Sequence, residues 1–156
     1  MTLTVEGPLL GQSAVCEPIL RSLPQWFGIA EANAQYLRDI EVLPTFVARD
    51  EAAGAAVGFM TVKRHFPESA ELLVLGVLPE RHRSGIGRAM LERTEAWLHD
   101  EGVRYVQVKT LGPSDPDEGY RRTRAFYAAY GYTPLEETLE LWSADNPALI
   151  MIKRLD

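Results

Sequence analysis

The chain has a single cysteine in 156 residues. Cys16 therefore closes no intramolecular disulfide and builds no cysteine-based zinc site, and no metal is expected. It reads as a small buried apolar residue, which fits a reducing compartment. Long hydrophobic runs are also missing. No stretch approaches the roughly 20 apolar residues of a transmembrane helix. The opening segment, MTLTVEGPLLGQSAV, has neither a basic n-region nor a long apolar core, so no signal peptide is read. These absences point to a cytoplasmic protein without a membrane partner. Basic residues are outnumbered, 16 Lys and Arg against 22 Asp and Glu, for a net charge of −6. Nonspecific nucleic-acid binding needs a basic footprint and is disfavoured. There is no internal repeat, low-complexity tract or linker.

What is present is ordinary globular composition, 46% apolar and 24% charged. A chain of this length favours one domain, residues 1–156, with a core that needs no covalent staple. The basic residues are unevenly placed. Arg81-His82-Arg83-Ser84-Gly85-Ile86-Gly87-Arg88 is a positive run in an acidic chain. Such a cluster suits a small anionic ligand better than a polymer.

Hydrophobic periodicity predicts the elements. Thr2–Val5 alternates weakly and suits an edge strand. Gln12–Leu23 reads as a helix with Val15, Ile19 and Leu23 inward, stopped by Pro24. Ala30–Ile40 reads as a second helix with Ala30, Ala34, Leu37 and Ile40 inward. Strands are predicted over Pro44–Arg49 and Val57–His65. Glu71–Leu78 is apolar on both faces apart from Glu71 and belongs in the sheet centre. An amphipathic helix follows, with Ile86, Met90, Leu91, Trp97 and Leu98 on one face, ended by Gly102. Val103–Thr110 is a further strand, Gly112–Tyr120 a loop, and Arg122–Tyr130 a short helix. Strands Leu135–Trp142 and Ala148–Leu155 are joined by a turn at Asp145-Asn146-Pro147. Paired strands with helices on the sheet faces make the chain α+β.

The chemistry concentrates where the central strand runs into the basic, glycine-containing turn. A helix N-terminus there presents unpaired N–H groups and the positive end of the helix dipole. Gly85 and Gly87 let the backbone approach closely, so the turn can cradle a phosphate or pyrophosphate. Two nucleotide motifs fail. A dinucleotide fingerprint needs glycine where Met90 stands, and a P-loop needs Lys-Ser/Thr where Arg88-Ala89 stand.

The run Val77-Leu78-Pro79-Glu80-Arg81-His82-Arg83-Ser84-Gly85-Ile86-Gly87-Arg88-Ala89-Met90-Leu91 resembles motif A of the GNAT superfamily of acyl-CoA-dependent N-acetyltransferases, Q/R-x-x-G-x-G/A after a strand. His82 takes the Gln/Arg place, which acts partly through its backbone N–H. Ala125-Phe126-Tyr127-Ala128-Ala129-Tyr130-Gly131-Tyr132 is similar to the family's F/L-Y-x-x-x-G-F/Y. Ala70-Glu71-Leu72 opens the central strand as in several GNAT enzymes. The three agreements span roughly residues 70–132, in family order.

The resemblance implies the GNAT fold: a mixed, mostly antiparallel central sheet flanked by helices, with a splayed central strand pair. It implies acetyl-CoA as co-substrate, an amine-bearing acceptor as partner, and allows a homodimer. The pyrophosphate would rest on backbone N–H groups of Arg83, Ser84, Gly85, Gly87 and Arg88, beside His82. The Arg83 and Arg88 side chains would add charge or simply lie in solvent. Leu75–Val77 would pair with the pantetheine amides, the N–H of Leu75 or Val77 holding the acetyl carbonyl as an oxyanion-type device.

Transfer to an amine needs a base for the ammonium and an acid for the departing thiolate. Glu71 is the candidate base, directly or through water. It shares a strand face with Leu73, Leu75 and Val77. Burial disfavours an isolated carboxylate's charged form, which suits a base near neutral pH. A structural hydrogen bond or a sheet-edge surface position would explain Glu71 equally. Tyr127 matches the family tyrosine that protonates the thiolate; a core aromatic is its other reading. Tyr120 stands where many members carry Asn, seven residues before that tyrosine, and is assigned to the acceptor or to loop packing. Trp26, Phe27, Tyr36 and Trp142 line the acceptor site or belong to the core.

Two functions follow. One is acetyl transfer to a primary amine by direct attack in a ternary complex, since Cys16 lies outside the motifs. The alternative is a non-catalytic acyl-CoA sensor or regulatory subunit. A nucleotide-phosphate binder of another fold is a distant third. The acceptor itself is not legible.

Overall fold

Among the described residues, seven strands and four α-helices follow one another as β1 (Leu3–Leu9), α1 (Ser13–Arg21), α2 (Ala30–Val42), β2 (Thr45–Asp50), β3 (Ala55–Phe66), β4 (Ser69–Val77), α3 (Ile86–Asp100), β5 (Tyr105–Leu111), α4 (Glu118–Ala129), β6 (Thr133–Ser143) and β7 (Asn146–Arg154), with a 3₁₀ turn at Pro79–Arg81 between β4 and α3. This is a computed structural model, and it describes residues 2–24 and 26–156. The sheet order is β1-β2-β3-β4-β5-β7-β6. The β4–β5 ladder is parallel, and the β1–β2, β2–β3, β5–β7 and β6–β7 ladders are antiparallel. The α+β class is the one that the periodicity predicts, and the mixed, mostly antiparallel sheet is the one that the family resemblance implies. The chain forms two compact units, Met1–Lys63 with Leu73–Glu101, and Arg64–Leu72 with Gly102–Asp156.

In the first unit, β2 is buried along nearly its whole length, as an interior strand requires. Helices α1 and α2 pack on one face, where Cys16, Ile19, Leu20 and Leu23 meet Ile40, Phe59 and Val74. A β-carbon at Gly76 would crowd this packing, 3.1 Å from Leu23 Cδ1 and from Phe59 Cε1. Helix α3 covers the opposite face, since Gly58 alternates with Phe59 and its β-carbon would come within 3.0 Å of Ile86 Cγ2. The rings of Phe46 and Trp97 meet edge-on at 5.7 Å.

Two helical expectations shift. Helix α1 ends at Arg21, before Pro24, where the Ser22 hydroxyl and N–H both bond the Ile19 carbonyl. Its inward stripe runs through Cys16 rather than Val15. In α2, Ala30 and Ala34 are exposed instead of inward, while Ile40 is buried as expected and anchors the helix. Short alanine side chains gain little from burial, so the longer Tyr36, Leu37 and Ile40 set the helix's rotation.

In the second unit, β4 and β5 are in register from Ser69↔Tyr105 to Leu72↔Val108. Strand β5 stays paired with β7 as far as Leu111↔Ala148. Helix α4 packs on β5 and begins at Glu118, four residues before the expected Arg122. Asp117 caps it by accepting the Tyr120 N–H at 3.0 Å. Tyr120 is thus a first-turn helical residue and not a loop residue. The last hairpin turns at Ala144–Asp145, one residue earlier than expected, and Asn146 opens β7 opposite Ser143. Gly102 and Gly131 follow α3 and α4 with φ of +87° and +94°, the left-handed stop that glycine makes cheap.

Candidate functional site

The turn between β4 and α3 is assembled from short-range bonds. Arg81 and His82 donate their N–H groups to the carbonyls of Leu78 and Pro79, closing the 3₁₀ turn. The His82 N–H is therefore engaged within the turn. The His82 ring does other work. A carbonyl only accepts, so its Nε2–H donates to the Val77 oxygen at 2.8 Å. The Trp26 ring meets that ring in a T-shaped contact, centroids 5.9 Å apart. Arg81 Nη1 bonds Asp50 Oδ2 at 2.9 Å. That guanidinium, helped by the Ala52 N–H, holds the Asp50 carboxyl below the ordinary aspartate range. Ser84 Oγ donates to the Arg81 carbonyl, so its hydroxyl is spent inside the turn.

What remains directed outward is backbone. Arg83 has φ +63° and Gly85 φ +84°, two left-handed residues around Ser84. Such alternation turns successive N–H groups toward one concave point, a nest for anions. Gly85 is the N-cap of α3, and no side chain caps the helix. A β-carbon at Gly85 would have nothing within 4 Å, so the space before the helix is open. The first-turn N–H groups of Ile86, Gly87 and Arg88 have no intrahelical acceptor. The dipole adds positive potential at the same point. The geometry fits a pyrophosphate. The Arg88 side chain, by contrast, bonds Glu92 at 2.8 Å on the helix surface, and the Arg83 side chain is exposed. Along β4, Leu73, Leu75 and Val77 are half-buried while Leu72, Val74 and Gly76 are buried. One face of the strand end is thus incompletely covered.

The second unit holds the two proton-handling candidates. Glu71 is buried, with its side chain 5% exposed. Burying a carboxylate and stripping its partner typically costs about 3–5 kcal/mol, and Glu71 has two partners. His65 Nε2 lies 2.7 Å from Oε1, and Lys109 Nζ lies 3.1 Å from the same oxygen. Among the described residues, Oε2 takes no hydrogen bond. Glu71 is therefore a paired interior carboxylate and not a surface residue. The sequence reading missed both partners. Lys109 was visible as the one cation inside an apolar strand, and His65 as a polar end to β3.

Tyr127 is buried beneath α4, edge-on to Tyr132 and Phe126 at 5.4 Å each. Burial pushes its phenol well above the ordinary tyrosine range, so the hydroxyl keeps its proton at neutral pH. Cys16 is fully buried, and burial alone pushes its thiol up to about 12. A thiol so held is no nucleophile.

The aromatic candidates separate. Trp26, Phe27 and Tyr36 are half-buried and pack against the α1–α2 core, Phe27 and Tyr36 edge-on at 5.8 Å. Tyr120 is half-buried in the first turn of α4. Trp142 is exposed on β6, at the end of the sheet order, with Leu135, Leu139 and Leu141.

An acetyltransferase (GNAT) domain model matches residues 42–134. The chain belongs to the GNAT acetyltransferase family. That match covers the β4–α3 turn, Glu71 and Tyr127. An uncharacterized N-acetyltransferase of Chlorobaculum tepidum is 37% identical over 82 residues, 53% of this chain and 43% of that protein. The chain thus spans less than half the length of that relative. Among solved structures, a GNAT-family protein of Desulfovibrio desulfuricans has a TM-score of 0.85 at 17% identity, over 99% of this chain and 100% of the other. A GNAT acetyltransferase of Elizabethkingia anophelis with acetyl-CoA bound has a TM-score of 0.74 at 13% identity, over 98% of each chain. These two likenesses are likenesses of fold. Among the described residues of this GNAT chain, no helix is long and apolar enough to cross a membrane. No group of three His, Cys, Asp or Glu side chains is arranged to hold a metal ion among them.

Proposed function

We propose that this GNAT protein moves the acetyl group of acetyl-CoA to a primary amine by direct attack in a ternary complex. The observation that carries the reading is Glu71, an interior carboxylate bonded at Oε1 with Oε2 left over. A protein that only senses acyl-CoA need not keep such a group. Glu71 is the general base, and Tyr127, protonated through the neutral range, is the general acid.

The backbone of Arg83, Ser84, Gly85, Gly87 and Arg88 receives the pyrophosphate. The N–H of Leu75 or Val77 receives the carbonyl oxygen as it becomes an oxyanion, where a placed donor is worth several kcal/mol. The new C–N bond forms as the amine lone pair attacks, and the C–S bond breaks. Glu71 takes one proton from the ammonium and releases it to water. Tyr127 gives the sulfur its proton and recovers one from the nitrogen of the nascent amide. The sum is amide, free thiol and one released proton. The buried, inert thiol of Cys16 supports direct attack over a covalent acetyl-enzyme.

Trp26, Phe27, Tyr36, Tyr120 and Trp142 are the proposed acceptor contacts. In the bound solved neighbour the ligand is acetyl-CoA, which supports the donor assigned here. The cytoplasm, where acetyl-CoA is made and used, is the proposed location. The test has two steps. Thermal unfolding with saturating acetyl-CoA, against ATP as control, should raise Tm with the first alone. Release of free thiol from acetyl-CoA is then followed with a polyamine, an amino acid, an aminoglycoside and a lysine-containing peptide. Intersecting initial-rate lines with any of them support the reading. Binding without turnover with every amine returns the protein to the sensor class.

A further inference from the structure

The reading above gives Glu71 its role as base, and the following inference rests on it. We propose that His65, with Lys109, is a positioning residue that clamps one oxygen of Glu71 so that the other is presented to the amine.

The geometry is asymmetric. Both donors converge on Oε1, His65 Nε2 at 2.7 Å and Lys109 Nζ at 3.1 Å. With one donor on each oxygen, both would be partly engaged and neither singled out to take the proton. Here one oxygen is saturated and its twin takes no bond among the described residues. A carboxylate rotates freely about its last torsion unless held, so two donors on one oxygen also fix the plane of the group. The three groups come from neighbouring strands, His65 on β3, Glu71 on β4 and Lys109 on β5. All lie within one compact unit.

His65 and Lys109 divide the work differently. Lys109 is the fixed charge that lets an ionised carboxylate remain inside, and removing it would leave that charge uncompensated. His65 is a directional donor. An ionised carboxylate only accepts, so the ring carries its proton on Nε2. At 31% exposure its side chain is also the most accessible of the three. During turnover Oε2 gains a proton from the ammonium and returns it to water. The His65 and Lys109 bonds to Oε1 persist through both events, because neither proton passes through them. The base is thereby returned to the same orientation for the next amine.

The experiment compares His65→Ala, His65→Gln and Glu71→Gln with the intact protein, using acetyl-CoA and the best amine of the panel. The amide of His65→Gln can still donate to Oε1, whereas alanine cannot. His65→Ala should lower kcat about tenfold or more while KM for acetyl-CoA stays within about twofold. His65→Gln should recover most of that loss. Wild-type kcat in His65→Ala would overturn the inference, as would equal impairment by Ala and Gln. Glu71→Gln separates the two levels. If Glu71→Gln keeps full kcat, the base assignment itself fails. If Glu71→Gln is crippled while His65→Ala is not, only the clamp fails. A second readout needs no acceptor and no variant. Nitrogen-15 NMR of the histidines in the intact protein should show His65 protonated at Nε2. A neutral ring protonated only at Nδ1 would overturn the clamp.

Discussion

Arg81 reaches across thirty-one residues of chain to bond Asp50 at 2.9 Å. The contact ties the 3₁₀ turn after β4 to the last residue of β2. Two elements that share no sequence neighbourhood are thereby fixed, and the nest between Arg83 and Gly85 inherits its position from them. Asp50→Ala should raise KM for acetyl-CoA several-fold and leave kcat nearly unchanged, because the loss falls on binding and not on the proton steps. The pH dependence has a definite sign. The folded-state carboxyl of Asp50 is held low, so its contribution is present above the ordinary aspartate range and is lost as pH falls through the lowered value. The acid side of the wild-type stability curve should therefore flatten in Asp50→Ala, as followed by thermal unfolding between pH 7 and 3.

Gly85 offers a cleaner probe of the cradle. Its φ of +84° costs any L side chain about 1–2 kcal/mol, yet its β-carbon would meet no protein atom. Gly85→Ala should fold with Tm lowered by about 2–8 °C. Titration with acetyl-CoA should show an affinity loss larger than this modest destabilisation, because the methyl group occupies the space that the pyrophosphate needs. Unchanged affinity would remove Gly85 from the cradle.

Tyr127→Phe deletes one oxygen and keeps the ring edge-on to Tyr132 and Phe126. A general acid contributes about 10²–10⁴-fold, so kcat should fall in that range while acetyl-CoA binding holds. Stability should respond at the alkaline end. The phenol is raised on folding, so its contribution is complete below the ordinary tyrosine value near 10 and is lost as pH rises beyond it. Tyr127→Phe should be less sensitive to pH above about 10 than the parent. Full kcat in the variant would return Tyr127 to the role of core aromatic.

Cys16 should be silent in the native state. Its thiol is fully buried and pushed up to about 12. Iodoacetamide at pH 8 should label it only after denaturation. Cys16→Ala should retain turnover, at the cost of a small packing defect. Loss of turnover in a folded Cys16→Ala protein would reopen a covalent route.

Elements with strong local signals were legible. The α3 stripe of Ile86, Met90, Leu91 and Leu98 is buried as its spacing demands. The β4 run is buried on one face as its apolar character demands, and only half-buried on the other at Leu73, Leu75 and Val77. Weak local signals gave the errors. The start of α4 was hidden because Asp117-Glu118-Gly119 reads as a turn until its cap is seen. Helix α2 was rotated because alanine is apolar in pattern but cheap to expose.

The sequence alone carried the glycine-punctuated helix start at Gly85 and the central strand headed by Glu71, while Tyr127 and the family came from the resemblance of its motifs to GNAT enzymes. The helix start and the strand depend on backbone preference or periodicity over a few residues, and such information is carried by neighbours along the chain. Only the tertiary structure decided what faces what. Lys109 is thirty-eight residues from Glu71 and His65 is six, yet both end on one oxygen. The His82 ring closes on Val77, and Arg81 on Asp50. Pattern reports that a polar group is buried, but the desolvation it suffers can be relieved by any suitable partner in the chain. Which partner arrives is fixed by the order and register of the strands.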